Sequence, residues 1–465
     1  MLVFKTLTAK DLKKLQKFTE KSPYFLCDYS IGVMYMWLDY YKYEYAVFND
    51  TLILKTGKET GKELFFAPLG KDKNGAYAEI EKYCVENELP LYFTLIDGEE
   101  TKRLADNYEQ AEILYDRDFS DYIYSYDEIY NLTGKKFSGQ RNHINAFKKA
   151  YPDYEYVKLT ARHTSEILDL LKTYKKEHGA MRKVEKDEYE YTKNLVKNIH
   201  VGKFTGGAIR TGGRIAAFTI GEYVGNMLVI HVEKGLFEYR GIYPAIFHEF
   251  VMRSKKDGIL YINREDDAGD PGLRISKTQY QPVMLADKFD VLIKKPMNIT
   301  RAPVLKGKKV YLSRITEKDK QNYFELYTDK SLNRYWGYDY KKDVADPSPD
   351  AFFNMQKNDF RKRDNLCLAI RTKRGGELIG EVIMYNFGYD NTVETGVRLF
   401  KKYQKKGYGS EAVSLVRDYI ANELKKIPVA KCHIKNEGSK KLFLSLGYEL
   451  TETDGKFYRF RYETP

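Results

Sequence analysis

The hydrophobic pattern of this chain is written twice. Ala208-Ile209-Arg210-Thr211-Gly212-Gly213-Arg214-Ile215-Ala216 recurs as Ala369-Ile370-Arg371-Thr372, then Lys373-Arg374 inserted, then Gly375-Gly376-Glu377-Leu378-Ile379-Gly380. Each reads as strand, Gly-Gly turn, strand, which is a hairpin signal. A further apolar strand follows (Met227–Val232; Thr392–Leu399), then a glycine-containing loop (Tyr239-Arg240-Gly241-Ile242-Tyr243; Gln404-Lys405-Lys406-Gly407-Tyr408-Gly409), then a helical period. Beyond that helix each copy has a short strand ending at an asparagine, Leu260–Asn263 or Cys432–Asn436, and a second helix leading to Tyr280 or Tyr448. The shared order and spacing predict two domains of one fold.

Boundaries follow from the same pattern. Lys294–Pro303, polar with two prolines, reads as a linker, and a strand begins near Val310. Thr316-Glu317-Lys318-Asp319 reads as a helix N-cap with an acidic first turn, and Ser138–Lys149 as a basic helical stretch. Thr51–Leu54, Leu64–Ala67 and Leu91–Leu95 are strand-like, without a traceable further copy of the repeat. The expected division is 1–137, 138–296, a linker at 297–307, and 308–465; a length of 465 residues independently points to three units.

Composition excludes some classes. With 43% hydrophobic and 31% charged residues the chain should bury real cores rather than stay disordered. No apolar run approaches a membrane span, and MLVFKTLTAKDLKKLQKF has charges where a signal peptide has an apolar centre, so a cytoplasmic protein without membrane insertion is expected. Cys27, Cys84, Cys367 and Cys432 show no CxxC spacing, there is no HExxH, and Glu265-Asp266-Asp267 with Asp270 lacks the alternation of a calcium loop. Reduced, buried thiols and no metal are expected. The abundance of tyrosine (41) over tryptophan (2) reads as compositional bias rather than an aromatic binding platform. The net charge of +12 is concentrated: residues 301–465 hold 33 Lys/Arg against 22 Asp/Glu, and residues 1–300 hold 45 against 44. A local positive excess attracts anionic ligands, and a phosphate-rich cofactor, nucleic acid or solvent alone are equally compatible with it.

One stretch carries chemistry. Val393-Glu394-Thr395-Gly396-Val397-Arg398-Leu399 runs into Phe400–Tyr403, then Gln404–Gly409, then a helix from Ser410 to Leu424. Glycines at a strand-to-helix junction let successive N–H groups converge, and the helix N-terminus adds the positive end of its dipole, which suits a pyrophosphate. Asn436-Glu437-Gly438-Ser439 and Leu446-Gly447-Tyr448 follow in order.

On these residues, 308–465 resemble an acyl-coenzyme A-dependent N-acetyltransferase of the GNAT superfamily, in the subgroup that includes the ribosomal-protein N-terminal acetyltransferases. The match lies in the Q/R-x-x-G-x-G/A loop at Gln404–Gly409, the strand Glu394-Thr395-Gly396-Val397, and N-x-x-S then L-G-F/Y at Asn436, Ser439 and Leu446-Gly447-Tyr448. The resemblance implies splayed fourth and fifth strands that admit pantetheine near Val397 and Leu399. It also implies a pyrophosphate held by Gln404, Lys405, Lys406, Gly407, Tyr408 and Gly409, with Asn436 fixing the pantetheine or an ordered water. Glu394 is the candidate base, Ser439 the candidate acid and Tyr448 the alternative acid.

Residues 1–296 resemble an uncharacterised bacterial family related to the C-terminal region of phosphatidylglycerol lysyltransferase, in which two GNAT-like domains pack in tandem. The residues are Ser138-Gly139-Gln140-Arg141-Asn142-His143-Ile144-Asn145, Tyr151-Pro152-Asp153-Tyr154, Asn263-Arg264-Glu265-Asp266 and Gly269-Asp270-Pro271-Gly272-Leu273-Arg274. Relatives of that tandem use aminoacyl-tRNA as donor, which makes tRNA the partner this likeness would bring, and Asn263, Arg264 and Glu265 would line the site. Tyr243 stands where the second loop glycine would be and should crowd a pyrophosphate.

The whole is thus expected to be an α/β (α+β) chain of three GNAT-like acyltransferase domains, each a mixed, mostly antiparallel sheet flanked by helices, the first degenerate. The leading function is acetyl transfer from acetyl-coenzyme A (acetyl-CoA) to an amine, a protein N-terminus or small molecule. The alternatives are aminoacyl-tRNA-dependent transfer by residues 1–296 and a non-catalytic acyl-CoA-binding scaffold.

Overall fold

The Gly-Gly hairpins form where the pattern places them. In the computed structural model, which describes residues 2–60, 62–179, 183–336, 347–453 and 455–463, Thr211 and Arg214 face each other across Gly212 and Gly213. Both glycines lie at positive φ (57° and 76°), as a tight two-residue turn requires. The chain divides into two compact units, one of residues 1–83, 92–107 and 113–292, the other of 84–91, 108–112 and 293–465.

The first unit begins with β1 (Lys5–Thr6), β2 (Glu44–Phe48), β3 (Thr51–Lys55) and β4 (Leu69–Gly70), hydrogen-bonded in that order. Of the expected strand Leu64–Ala67 only Phe65 bridges, to Lys55 on one side and Phe93 on the other. There follow β5 (Leu91–Ile96), β6 (Ala111–Tyr115) and β7 (Asp121–Ser125), then β8 (Glu155–Lys158), β9 (Phe204–Thr211), β10 (Arg214–Val224), β11 (Met227–Gly235), β12 (Tyr261–Asn263), β13 (Met284–Ala286) and β14 (Phe289–Ile293). The second unit contains β15 (Leu305–Lys306), β16 (Val310–Arg314), β17 (Leu366–Thr372), β18 (Leu378–Tyr385), β19 (Thr392–Leu399), β20 (Ile427–His433), β21 (Glu449–Thr453) and β22 (Phe457–Arg461), in the spatial order β15-β16-β17-β18-β19-β20-β22-β21.

Strand order reveals an exchange. In the second unit β22, the last strand, lies between β20 and β21, where it satisfies both. The equivalent place between β12 and β13 is filled by β7, which precedes both in sequence, while β14 lies between β5 and β6. Each middle place needs a strand because two unpaired edges would otherwise be left. The boundary expected at 137/138 therefore separates β7 from the sheet it completes. The expected linker 297–307 also proves structured: Met297 and Ile299 are buried with Val310, Leu312 and Ile379, and β15 pairs with β16. Its prolines and polar residues conceal two anchoring hydrophobes. Thr316 and Asp319 form the expected reciprocal cap.

In both copies of the repeat, among the described residues, a short parallel ladder joins the third strand to the one after the helix. β11 and β12 pair through Met227↔Tyr261, Leu228↔Ile262 and Val229↔Asn263; β19 and β20 pair through Thr392↔Ile427, Val393↔Pro428 and Glu394↔Val429. Beyond these triplets the partners diverge. In the first unit the gap is stitched by side chains. His231 on β11 lies 2.9 Å from Glu265, just past β12, and 3.0 Å from Glu222; Arg264 pairs with Glu233 at 3.0 Å and stacks 4.0 Å over Phe247. The helix Ile31–Met36 closes over His231 so tightly that a Cβ on Gly32 would lie 2.3 Å from the imidazole. Asn263 donates to Phe25 O and Asp121 and accepts from Glu265 N–H. Nearby, Lys288 lies 2.8 Å from both Asp28 and Asp121, among a Cys27-Asp28-Asp121 cluster whose ligand-type atoms are within 4.8 Å of one another. The ammonium supplies the positive charge there.

A fragment of residues 138–296 lacks β7, so circular dichroism is expected to show no cooperative melting for it, in contrast to residues 1–296. Burial alone would hold the His231 imidazole low, but hydrogen bonds to Glu222 and Glu265 and their charges lift it to about 9. A raised histidine stabilises fully below its unfolded value near 6.5 and loses that contribution as pH rises through about 9. Denaturant unfolding of residues 1–296 should therefore show a stability loss on the order of 3 kcal/mol between pH 6.5 and 9.5, and His231→Gln should flatten that slope.

Candidate active site

In the second unit, among the described residues, no ion pair joins β19 to β20 beyond their three-residue ladder. Along β19 alternate residues share a face, so Glu394, Gly396 and Arg398 lie together and Val393, Val397 and Leu399 turn to the opposite side, which contributes to the apolar core. Glu394 is the last residue paired with β20 before the strands part. It is 7% exposed, and its two oxygens are held by Tyr385 Oη at 2.7 Å and Asn386 Nδ2 at 2.8 Å. Tyr385 stands directly opposite Glu394 in the ladder, and burial followed by the Glu394 charge pushes its phenol well up, which keeps it a donor. Two steps along the same face, Arg398 donates through Nε to Glu381 at 2.6 Å, touches Asn333, and packs 3.7 Å over the Tyr327 ring.

At the far end of β19 a short helical turn, Lys401–Tyr403, precedes the glycine loop. Gln404 Nε2 donates to Leu399 O at 3.0 Å, so this side chain fastens the loop to the strand. Lys405 and Gly407 both have positive φ (58° and 83°), and the helix Tyr408–Asp418 starts at once with Gly407 as its N-cap. Its first N–H groups have no intrahelical acceptors. With the left-handed residues before them they resemble the loop-to-helix arrangement whose free amides suit an anion. Lys405 and Lys406 are exposed there. Lys309, from the start of the domain, reaches in and donates from Nζ to Lys406 O at 3.2 Å. Glu411 in the first helical turn accepts from Lys309 N–H at 3.0 Å and so anchors the loop's other side. A Cβ at Gly409 would come within 3.2 Å of Leu399, which keeps helix and strand close, and the Tyr408 ring lies 6.3 Å from that of Tyr403.

The corresponding loop of the first unit is spent differently. Gly241 also has φ 83°, but a Cβ there would meet His143 O at 2.9 Å and Phe147 at 3.2 Å, because the helix Ser138–Ala150 fills the concavity. Tyr243 donates to Gly235 O. Of Asn263, Arg264 and Glu265, expected to line a substrate site, Arg264 and Glu265 pair across the gap with Glu233 and His231, while Asn263 is held by Phe25 O, Asp121 and the Glu265 N–H. A cleft of about 940 Å³ in this unit opens elsewhere, beside Tyr156, Lys158, Phe204, Tyr223, Arg253 and Lys256.

After β20, Asn436 caps the helix Glu437–Ser445: its Oδ1 accepts the Ser439 N–H at 3.2 Å. Ser439 is half-buried. Tyr448 is 2% exposed in a cluster with Val413, Ala430, Phe443 and Phe460, and its hydroxyl has no partner among the described residues. Sequence reasoning missed Tyr385, Asn386 and Lys309, which contact Glu394 and the glycine loop. Tyr385 could have been found by counting the ladder outward from the hairpin to the residue opposite Glu394. Lys309 lies 97 residues from the carbonyl it holds and carries no local signal.

A conserved protein of unknown function from Bacteroides thetaiotaomicron VPI-5482, known from its crystal structure, is 31% identical; the match covers 63% of this chain and 100% of that one, with a TM-score of 0.59. An uncharacterized protein of Mycoplasmoides gallisepticum is 22% identical over 241 residues, 50% of this chain and 76% of that protein. An acetyltransferase (GNAT family) from Bacillus anthracis is 18% identical over 34% of this chain and 97% of its own, with a TM-score of 0.29. The acetyltransferase (GNAT) domain family matches residues 309–449, and the family described as phosphatidylglycerol lysyltransferase, C-terminal, matches residues 20–291. The chain therefore belongs to the phosphatidylglycerol lysyltransferase C-terminal family and carries, after that region, a GNAT acetyltransferase domain.

Proposed function

We propose that the second unit transfers the acetyl group of acetyl-CoA to an amine. The observation that carries this is one gap with two ends: parallel strands that part after Glu394 and Val429, a fixed carboxylate where they part, and an array of exposed amides beyond. Acetyl-CoA fits this chain's residues because a diphosphate needs the donors that Lys405, Lys406, Gly407, Tyr408 and Gly409 present. Hydrogen bonds to charged acceptors contribute roughly 1.5–3 kcal/mol each. The inner edge of β19 near Val397 and Leu399, unpaired on the β20 side, would hold the pantetheine amides. When bound, the group supplies an acetyl thioester.

The protein's part is to orient the acceptor and handle protons. Only a neutral amine attacks, and at pH 7 deprotonating an α-amine costs about 3.5 kcal/mol less than deprotonating a lysine-type amine. Glu394, its orientation set by Tyr385 and Asn386, keeps lone pairs free to take the released proton, directly or through water. Ser439 is the proton donor this reading favours for the leaving sulfur, since its half-buried hydroxyl has access that the enclosed Tyr448 lacks. Asn436 serves by holding the Ser439 backbone. Residues 1–296 enter this reading as a recognition or scaffold module, because the His231–Glu265 and Arg264–Glu233 pairs occupy the gap that a donor would need. Aminoacyl transfer there would require that clasp to open.

Titration calorimetry with acetyl-CoA on the full chain should show micromolar binding that Gly407→Glu abolishes; tight binding by that variant would remove the proposed cradle. In steady-state assays Glu394→Gln is expected to lower kcat roughly 10²-fold or more, the scale of a lost general base, with the affinity for acetyl-CoA little changed. Ser439→Ala should lower turnover by a smaller factor and Tyr448→Phe should leave it unaltered.

A further inference from the structure

Tyr335 and Trp336 are consecutive, yet each touches a different arm of the open gap. The Tyr335 ring stacks on His433, near the end of β20, at 5.4 Å between centroids and 28° between planes. Trp336 lies on β19: a Cβ at Gly396 would come within 2.9 Å of its Cη2. Both contacts fall beyond the last paired residues, Glu394 and Val429. Gly396 shares a face with Glu394 and is two residues away, about 7 Å along a strand. The indole thus abuts the surface on which the carboxylate sits, and it can come so close only because residue 396 has no side chain.

The aromatic surfaces are already charged on one side. The Arg398 guanidinium lies 4.5 Å from the Trp336 ring, fixed by Glu381, and Arg334 lies 5.1 Å over Tyr335. A cation attracted to these rings would find the favourable positions held by the protein's own arginines. The excess of 33 basic over 22 acidic residues in 301–465 acts in the same direction. Trp336 and Tyr335 are nevertheless only half-buried, so part of each ring is left for contact with a ligand.

Building on the acyl-transfer reading, we infer that Trp336 and Tyr335 form the wall that selects the acceptor. The acceptor so selected is a monoamine whose amine adjoins a planar or apolar group, not a polyamine. Trp336 sets specificity by packing against that group while Glu394 faces the nitrogen. Gly396 serves as the seat of the indole.

The test uses the full chain with three acceptors that separate these features: phenylalaninamide, glycinamide, and spermidine. Acetyl transfer from acetyl-CoA should show kcat/KM at least tenfold higher for phenylalaninamide than for either other amine. Trp336→Ala should reduce the preference over glycinamide to under threefold through the acceptor KM, with the KM for acetyl-CoA unchanged, and Trp336→Phe should restore most of it. A preference for spermidine, or a ratio that Trp336→Ala leaves intact, overturns the inference. A second measurement does not depend on turnover. The chain has two tryptophans, so in Trp37→Phe the emission belongs to Trp336 alone. Phenylalaninamide should shift it saturably and spermidine should not; the absence of a phenylalaninamide response, or an equal response to spermidine, overturns the assignment. Failure of acetyl-CoA itself to bind would instead remove the acyl-transfer reading, while the fluorescence titration still decides the role of Trp336.

Discussion

Two parallel strands that share three residue pairs and then separate leave backbone amides and carbonyls facing a gap, and buried backbone groups of that kind must find partners. Much of the molecule can be understood from how each copy of the repeat answers this demand. In the first unit the answer is internal: His231, Glu265, Arg264 and Glu233 bridge the diverging segments, and Gly32 lets a helix close over them. In the second unit the corresponding positions on β19 are Gly396 and Arg398, and neither reaches across to β20 in the described residues. One has no side chain, and the other is turned to Glu381. The same backbone geometry therefore has its gap bridged by side-chain pairs in one copy and, among the described residues, not in the other.

Sealing with charge has a thermodynamic character of its own. Buried ion pairs seldom add much net stability over apolar packing, but removing one partner is strongly destabilising, by roughly 3–5 kcal/mol, because the other is left uncompensated. The first unit holds several interdependent buried groups of this kind: His231 with Glu222 and Glu265, and Lys288 with Asp28 and Asp121. The exchanged strand β7 contributes Asp121 to this network, so β-pairing and charge pairing reinforce one another.

The second unit distributes charge in the opposite manner. Its excess of basic residues includes Lys309, Lys405 and Lys406 around the exposed amides of the glycine loop, where an anionic ligand gains both long-range attraction and short hydrogen bonds. Its buried charges are few and locally neutral: Glu394 is held by neutral donors, and Arg398 is matched by Glu381. Positive potential thus lies at one end of the gap and a shielded carboxylate at the other.

What the sequence determined by itself was whatever depends on local periodicity and local backbone freedom. The duplicated hairpins, the glycine loops, the Thr316 cap and the Asn436–Ser439 turn were legible because a few neighbouring residues specify each of them. Tertiary structure alone decided which strand fills the place between β12 and β13, since β7 and β13 are joined only by hydrogen bonds between residues more than 150 positions apart. It also decided that Met297 and Ile299 anchor a segment that reads as linker, and that Arg264 and Glu265 pair with Glu233 and His231. The physical reason is common to these cases. A side chain's partner across a sheet or gap is set by register and strand order, and those depend on the summed burial of residues far apart in the chain, which no local pattern encodes.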